Sequence, residues 1–255
     1  MKTISPFAVC LITVLAVVLS TGSRPAVAQS SFSVWPDLAP GESDASVGEA
    51  LPARPNEQPP VTRVANVTQP TFTVHVPEKP NGSAVVILPG GGFRIVVPDK
   101  EGTEAADWLA RHGVTSFVLS YRTTADKSKQ GWVKPLQDAQ RTIALVRSQS
   151  EKWGLEKDRI GLLAFSAGGQ VGARLLCDGG KLAYEPIDQV DEVSHRPDFA
   201  MLVYPWNLYD ADRDGLVSGV SVPSDAPPTF LVHTDNDRSS SLGTVLLYAG
   251  MKRHN

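Results

Sequence analysis

Short apolar runs alternate with segments of helical periodicity over most of the chain beyond residue 70. The apolar runs predict strands at residues 71–76, 84–88, 115–119, 160–165, 199–204 and 229–233. Apolar residues spaced three or four apart predict helices at residues 103–112, 135–150, 167–177 and 245–253. The run at 84–88 is apolar at every position, which predicts a central strand with both faces covered. This alternation is typical of an α/β fold, with a mainly parallel sheet and helices on both faces.

The segment before this alternation has a different composition. Residues 29–70 are rich in Pro, Ser, Gly and Asn, which predicts an extended lead-in with little regular structure before Val61. Residues 71–255 are predicted to form one α/β domain, since no internal repeat or linker divides them. Within this domain, residues 181–197 and 205–228 are irregular insertions, and such segments often shape a substrate cleft.

The first 28 residues predict a secretory signal peptide. Lys2 supplies a positive charge, residues 7–19 are apolar except for Thr13, and Ala26-Val27-Ala28 is a small-x-small cleavage motif. The apolar run is shorter than the roughly 20 residues that a membrane helix needs, so an uncleaved anchor is the less favoured alternative. Cleavage after Ala28 would give a secreted or periplasmic protein with no stable membrane span.

Composition narrows the class further. The chain has 255 residues, a formal net charge of −3 and 42% hydrophobic residues, as is ordinary for a soluble globular protein. No long basic run offers a surface for nucleic acid. Signal cleavage would remove Cys10 and leave Cys177, which is expected to be a buried structural thiol.

The sharpest chemical signal is the segment Gly161–Gly169, with the sequence GLLAFSAGG. Ser166 follows a predicted strand directly and precedes a helix, as in a nucleophile elbow, where a tight turn exposes the serine hydroxyl above the sheet. Such a turn needs small residues two positions before and two after the serine, and these are Ala164 and Gly168. Ala164 departs from the usual glycine by one methyl group. The alternative is an ordinary glycine-rich connection with a capping serine.

A glycine-rich loop after the central strand supports the same interpretation. Pro89-Gly90-Gly91-Gly92-Phe93 can turn freely and direct N–H groups inward. Acyl transfer needs two such donors at the carbonyl oxygen, and we assign them to Ala167 and to Gly91 or Gly92. A phosphate-binding loop is disfavoured, because neither a Lys-Ser/Thr pair nor a G-x-G-x-x-G pattern is present.

Together these motifs resemble the secreted bacterial α/β-hydrolase esterases. The resemblance runs from about Trp35 to the last residue and is carried by residues 88–93, 119–122, 153–169 and 204–205. The branch resembled is the acetylxylan and feruloyl esterase-like group, which is related to hormone-sensitive-lipase-type enzymes. The resemblance implies an α/β-hydrolase fold and a serine carboxylesterase that removes small acyl groups, such as acetyl groups of carbohydrate. It implies an acyl-enzyme on Ser166 and no cofactor.

The resemblance also implies a catalytic acid in the loop after strand 229–233. The family pattern His-Thr-x-x-Asp puts the acid at Asp237, with Asp235 as the alternative. Residues 238–241 depart from the apolar continuation of the family, which leaves this choice open. The spacing of His233, Asp235 and Asp237 could also suit a metal, but no further ligand set accompanies it, and we assign no metal.

A histidine should follow the acid in this fold. Only His254 does so, and a helix of about ten residues rising 1.5 Å each would carry it about 15 Å away. His233 is expected to be a packing residue at a strand end. His75, His112 and His195 precede the acid and are disfavoured as the base. The sequence therefore predicts that the last strand and the loop with the catalytic histidine are missing. Such a chain would retain residual catalysis at best and expose an apolar edge prone to association.

Two other function classes remain open. One is a truncated, catalytically inactive hydrolase homologue that keeps at most a binding surface. The other is a serine peptidase of the prolyl oligopeptidase kind, disfavoured because those enzymes carry a large N-terminal propeller. Two smaller expectations concern packing. Asp138 and Arg141 should form surface or interhelical ion pairs, and Tyr204-Pro205-Trp206 should either line an acyl pocket or simply pack.

Overall fold

The fold is taken from a computed structural model that describes residues 30–125 and 130–254. The predicted signal peptide lies outside these residues. The strands are β1 (Ser31–Ser33), β2 (Val47–Ala50), β3 (Val64–Val67), β4 (Thr71–His75), β5 (Ala84–Leu88), β6 (Thr115–Ser120), β7 (Ile160–Phe165), β8 (Ala200–Val203), β9 (Tyr209–Asp210), β10 (Gly215–Leu216) and β11 (Thr229–Val232). The helices are α1 (Glu104–Ala110), α2 (Val133–Ser148), α3 (Ser166–Leu176) and α4 (Leu242–Lys252).

Seven strands form the main sheet in the order β1-β4-β6-β5-β7-β8-β11. The five strands from β6 to β11 in this order run parallel to one another, whereas β4 pairs antiparallel with β6, and β1 antiparallel with β4. β5 lies at the centre, as its uninterrupted apolar run predicted. The predicted α/β fold with a mainly parallel sheet is therefore confirmed.

Helices cover both faces of the sheet because the side chains of β5 alternate between two cores. Val86 and Leu88 belong to the larger core, under α2 and α3, and Val85 and Ile87 to the smaller core, under α1. All four are at most 1% exposed. Full burial of a side chain of this size stabilises the fold by about 1.5–3 kcal/mol. The uniformly apolar run is thus the consequence of a strand covered on both sides.

The N-terminal lead-in is more regular than predicted. β1 pairs with β4 at the edge of the main sheet, and β2 pairs with β3 in a separate two-stranded sheet. Trp35 is buried, and its Nε1 donates a hydrogen bond to Asp138 Oδ1 at 2.9 Å. The expectation of little regular structure before Val61 was wrong for β1 and β2. These strands are three and four residues long, too short to show a clear alternation.

The carboxyl ends of the parallel strands meet at one edge of the sheet. The register pairs Leu88 with Ala164, and Val203 with both Phe165 and Val232. The residues that follow these strands, Ser166 among them, therefore form a row along this edge. Open α/β sheets bind their ligands at such an edge. Among the residues that the structure describes, no helix is both long and apolar enough to cross a lipid bilayer.

Candidate active site

Ser166 occupies a strained turn between β7 and α3. Phe165 is extended, with φ −114° and ψ 139°, and α3 begins at the next residue. Ser166 itself has φ +50°, in the left-handed region that L-residues other than glycine rarely adopt. Holding a non-glycine residue there costs about 1–3 kcal/mol and is common at active sites. The backbone therefore has the geometry of a nucleophile elbow.

The residues around Ser166 are small because two segments of backbone approach closely. A Cβ atom built at Gly168 would lie 2.3 Å from the carbonyl oxygen of Leu88, so only glycine fits there. Ala164 is fully buried, and a Cβ atom at Gly172 would lie 3.2 Å from its methyl group. Gly172, one turn further along α3, thus leaves room for the methyl group by which Ala164 departs from the usual glycine.

The glycine loop, residues 89–93, lies directly beside Ser166. A Cβ atom built at Gly90 would lie 2.7 Å from Ser166 Cβ, so these two residues face each other. Gly91 and Gly92 have φ +140° and +63°, and their N–H groups make no hydrogen bond within the described residues. Ala167 lies in the first turn of α3, where N–H groups have no partner inside the helix. Three N–H groups are therefore available next to Ser166.

Glu101 fixes the glycine loop, and sequence reasoning did not identify it. The Gly90 N–H donates to Glu101 Oε2 at 2.5 Å, and the Tyr204 hydroxyl donates to Glu101 Oε1 at 2.9 Å. Burial raises the pKa of Tyr204, and the charge of Glu101 raises it further. Gly90 is thus engaged, which leaves Gly91 and Gly92 as donors. Glu101 lies in a π-helical turn, Asp99–Thr103, whose sequence gave no sign of this contact.

Tyr121 and Arg122, at the end of β6, explain the motif at 119–122. The Tyr121 hydroxyl donates to the carbonyl oxygen of Pro89 at 2.7 Å, so it holds the glycine loop from beneath. Arg122 Nε donates to Asp138 Oδ1 at 2.9 Å, and neither side chain is exposed. The expectation of a surface or interhelical pair at Asp138 was therefore wrong, because its partners are the end of β6 and Trp35.

Asp237 lies in the loop after β11. Its Oδ1 accepts a hydrogen bond from the Ser239 N–H at 2.9 Å, and its Oδ2 lies 3.6 Å from His233 Nε2. Tyr204 follows the neighbouring strand, β8. Burial and Glu101 raise the pKa of Tyr204, and the charge of Asp237 raises it further. Asp235 instead lines a shallow pocket with His233 at the outer side of β11. Asp237 therefore contacts groups at the carboxyl edge of the sheet, and it stays the predicted acid, with Asp235 as the alternative.

The histidines make their described contacts away from Ser166. His75 contacts Asp107, and His112 contacts the carbonyl oxygen of Trp108. His195 contacts Asp178. His254 is exposed beyond the end of α4, as predicted, and lines a different pocket. His233 Nδ1 lies 2.8 Å from Thr244 Oγ1, and β11 is two strands away from β7, about 10 Å.

A cavity of about 650 Å³ opens beside the glycine loop. It is lined by Gly92, Phe93, Arg94, Gln130, Gly131, Trp132, Gln170, Arg174, Trp206, Asn207, Asp210, Val217 and Ser218. Trp206 joins it to the elbow, since its N–H donates to the Ser166 carbonyl oxygen at 2.8 Å. Five residues of segment 205–228 thus line this cavity, whereas the described contacts of residues 181–197 are mainly with α2.

Burial raises the pKa of Cys177 to about 11, so its thiol stays protonated at neutral pH. Among the described residues, no group of three or more His, Cys, Asp or Glu side chains is arranged to hold a metal ion.

No family model matches the chain. An acetylxylan esterase from Xylanibacter ruminicola is 30% identical over 131 residues, which are 51% of this chain and 24% of that protein. An endo-1,4-β-xylanase B from Butyrivibrio fibrisolvens is 27% identical over 66% of this chain and 29% of its own length. The matched parts are therefore less than a third of these relatives.

Solved structures with the same fold cover most of the chain. An acetyl ester-xyloside bifunctional hydrolase from Caldicellulosiruptor lactoaceticus superposes with a TM-score of 0.58 and 26% identity, over 84% of this chain and 85% of that one. Esterase 2 from Thermogutta terrifontis gives a TM-score of 0.60 at 19% identity, over 78% and 81% of the two chains. The α/β-hydrolase fold and the resemblance to esterases of this fold are thereby confirmed.

Proposed function

We propose that this chain belongs to a carboxylic ester hydrolase whose nucleophile is Ser166. The observation that carries the proposal is the strained Ser166 backbone, φ +50°, beside a glycine loop in which the N–H groups of Gly91 and Gly92 have no partner among the described residues. An exposed serine hydroxyl next to preorganised N–H donors is the arrangement that acyl transfer requires.

The proposed reaction proceeds through an acyl-enzyme. Ser166 Oγ attacks the acyl carbon and gives up its proton to a base, and the oxyanion accepts hydrogen bonds from Ala167 and from Gly91 or Gly92. The alcohol then leaves with a proton, and water releases the acid. Asp237 is proposed as the acid that orients the base and stabilises its protonated form.

The substrate class is proposed to be small acyl esters, acetyl groups on carbohydrate above all. Two relatives support this: one carries the name acetylxylan esterase, and the other is described as an acetyl ester-xyloside hydrolase. The peptidase alternative has no comparable support, so we retain the esterase.

A fluorophosphonate probe tests the nucleophile directly, because it reacts with an activated serine. We expect mass spectrometry to find the label on the peptide with Ser166, and Ser166→Ala to lose it. Ser43→Ala is a matched control on an exposed serine and should label like the wild type. Equal labelling of the wild type and Ser166→Ala would refute the proposed nucleophile.

The positions of the histidines favour a second candidate, a hydrolase homologue whose serine lacks a base. Imidazole in solution separates the two candidates, since it can accept the proton of Ser166 if that position is open. An aryl acetate turnover that rises with imidazole in the wild type, but not in Ser166→Ala, identifies a serine without a base. Unassisted turnover identifies a complete site, and a protein inert with imidazole and probe favours an inactive homologue.

A further inference from the structure

Arg174 is a buried cation without a carboxylate partner among the described residues. It lies on α3 and is 7% exposed, and within the described residues it makes one hydrogen bond, from Nη1 to the Ser218 carbonyl oxygen at 2.9 Å. The Nε atom of Arg174 is buried and has no hydrogen-bond partner among the described residues. The guanidinium stacks on Trp132, with Cζ 3.8 Å from the ring centroid. Burial lowers the pKa of Arg174 to about 10, so the group remains charged at neutral pH.

An arrangement of this kind is costly unless an anion completes it. A buried charge without an opposite charge destabilises a fold, and proteins avoid it by pairing. The other buried arginines of the described residues follow that rule, since Arg122 pairs with Asp138, Arg141 with Asp188 and Asp191, and Arg147 with Asp198. Arg174 is the exception within the described residues, and it lines the 650 Å³ cavity beside the glycine loop.

The rest of the cavity fits an organic anion. Arg94 adds a second positive charge at its exposed rim, and Asp210 is the one acidic residue in the lining. Phe93 and Trp206 supply aromatic surface, and Gln130 and Asn207 supply polar groups. Guanidinium groups bind carboxylates through paired hydrogen bonds, and aromatic walls with a few polar groups are typical of small-molecule sites.

We propose that the cavity binds a carboxylate carried by the substrate, with Arg174 as the residue that recognises it. The inference rests on the proposed function and narrows its substrate class to acidic esters. The carboxylate could belong to the alcohol part, as in a uronic acid, or to the acyl part, as in a half-ester of a dicarboxylic acid. Both offer the same group to the same guanidinium.

Binding to Ser166→Ala tests the proposal without turnover, so its result is independent of whether Ser166 is the nucleophile. Tryptophan fluorescence and calorimetry would compare glucuronate with glucose, and monomethyl succinate with the uncharged dimethyl ester. We expect at least one acid to bind about tenfold or more tightly than its uncharged counterpart. The acid that gains more identifies which part of the substrate carries the charge.

Two further changes in the Ser166→Ala background show whether Arg174 is responsible. Arg174→Met should remove the preference for the acid, and Asp210→Asn, which leaves the buried arginine in place, should strengthen it. Should Arg174→Met fold poorly, Asp210→Asn still tests the charge of the cavity. Equal affinity for each acid and its uncharged counterpart, or a preference that persists in Arg174→Met, would overturn the proposal.

Discussion

Glu101 connects three parts of the site through one carboxylate. It accepts hydrogen bonds from the Gly90 N–H and the Tyr204 hydroxyl, and a Cβ atom at Gly90 would touch both Glu101 and Ser166. We infer that Glu101 is a positioning residue, because it fixes the loop that we propose to supply the oxyanion-hole N–H groups. Its charge strengthens both hydrogen bonds.

We expect Glu101→Gln to lower the free energy of unfolding by about 1–3 kcal/mol, since one charge-assisted hydrogen bond is lost and the other weakened. Urea unfolding measures this change. Fluorophosphonate labelling of Ser166 should slow as well, which a merely structural role far from the site would not cause. Glu78→Gln, on an exposed glutamate, is the matched control and should change neither quantity. Normal labelling in a destabilised Glu101→Gln would contradict the positioning role.

At the scale of residues, local constraints were predictable and distant contacts were not. Ser166, Gly168 and the glycine loop were found because a tight turn dictates small residues at fixed spacings. Glu101 was missed, since its contacts with Gly90 and Tyr204 join segments far apart in the sequence. Asp138 was expected in a surface or interhelical pair for the same reason, because a helix pattern does not reveal Arg122 and Trp35.

At the scale of elements, Arg141 ties α2 to the insertion at residues 181–197. Its side chain is 2% exposed and donates to Asp188 and Asp191, at 2.7 and 2.8 Å from Nη1. The hydrogen bond from Arg141 lowers the pKa of Asp188. Burial opposes ionisation of Asp191, but hydrogen bonds from the Ile187 N–H, Tyr184 and Arg141 outweigh it and lower its pKa as well.

We expect Arg141→Met to lower the free energy of unfolding by about 3–5 kcal/mol at pH 7, because Asp191 would stay buried without its cation. A lowered carboxyl pKa stabilises the fold above the unfolded value near 4 and loses that effect as pH falls through the lowered value. The free energy of unfolding of the wild type, measured with urea, should therefore fall steeply as the pH drops from about 5 to about 2. That of Arg141→Met should fall less.

Arg159→Met provides the control for this pair. Arg159 contacts Glu156 at the surface, three residues away, and such exposed pairs contribute about 0–1 kcal/mol. Its loss should leave the pH dependence of unfolding unchanged. A pH profile of Arg141→Met that parallels the wild type would show that other carboxylates dominate.

Element types were predictable because strand and helix periods differ, whereas element ends and short strands were not. β5 and β7 have the predicted ends, and α4 begins three residues earlier than expected, at Leu242. β1 and β2 escaped recognition because pairing with distant strands, β4 and β3, creates them. Tertiary contact thus decides the structure where local periodicity is weak.

At the scale of the whole molecule, the alternation of strands and helices predicted a sheet with helices on both faces. One edge of this sheet, at β11, is exposed. Among the residues that the structure describes, β11 pairs with β8 alone, so its other side presents backbone groups without a strand partner there. Exposed hydrophobic side chains lie on β11 and on α4. We call this group of residues the apolar edge: Phe230, Val232, Leu242, Val245 and Tyr248. An exposed apolar edge strand is a template for pairing with another chain.

We expect residues 30–254 to self-associate through the apolar edge, as seen by sedimentation velocity over a range of concentrations. Val232→Lys should shift the protein towards monomer, because a lysine on an edge strand disfavours pairing and Val232 is 41% exposed. Val76→Lys is the matched control, since Val76 is 58% exposed but lies outside the apolar edge. Association that weakens equally in both variants would reflect the added charge alone. A monomeric wild type would contradict the prediction, because the apolar edge would then be protected without a partner.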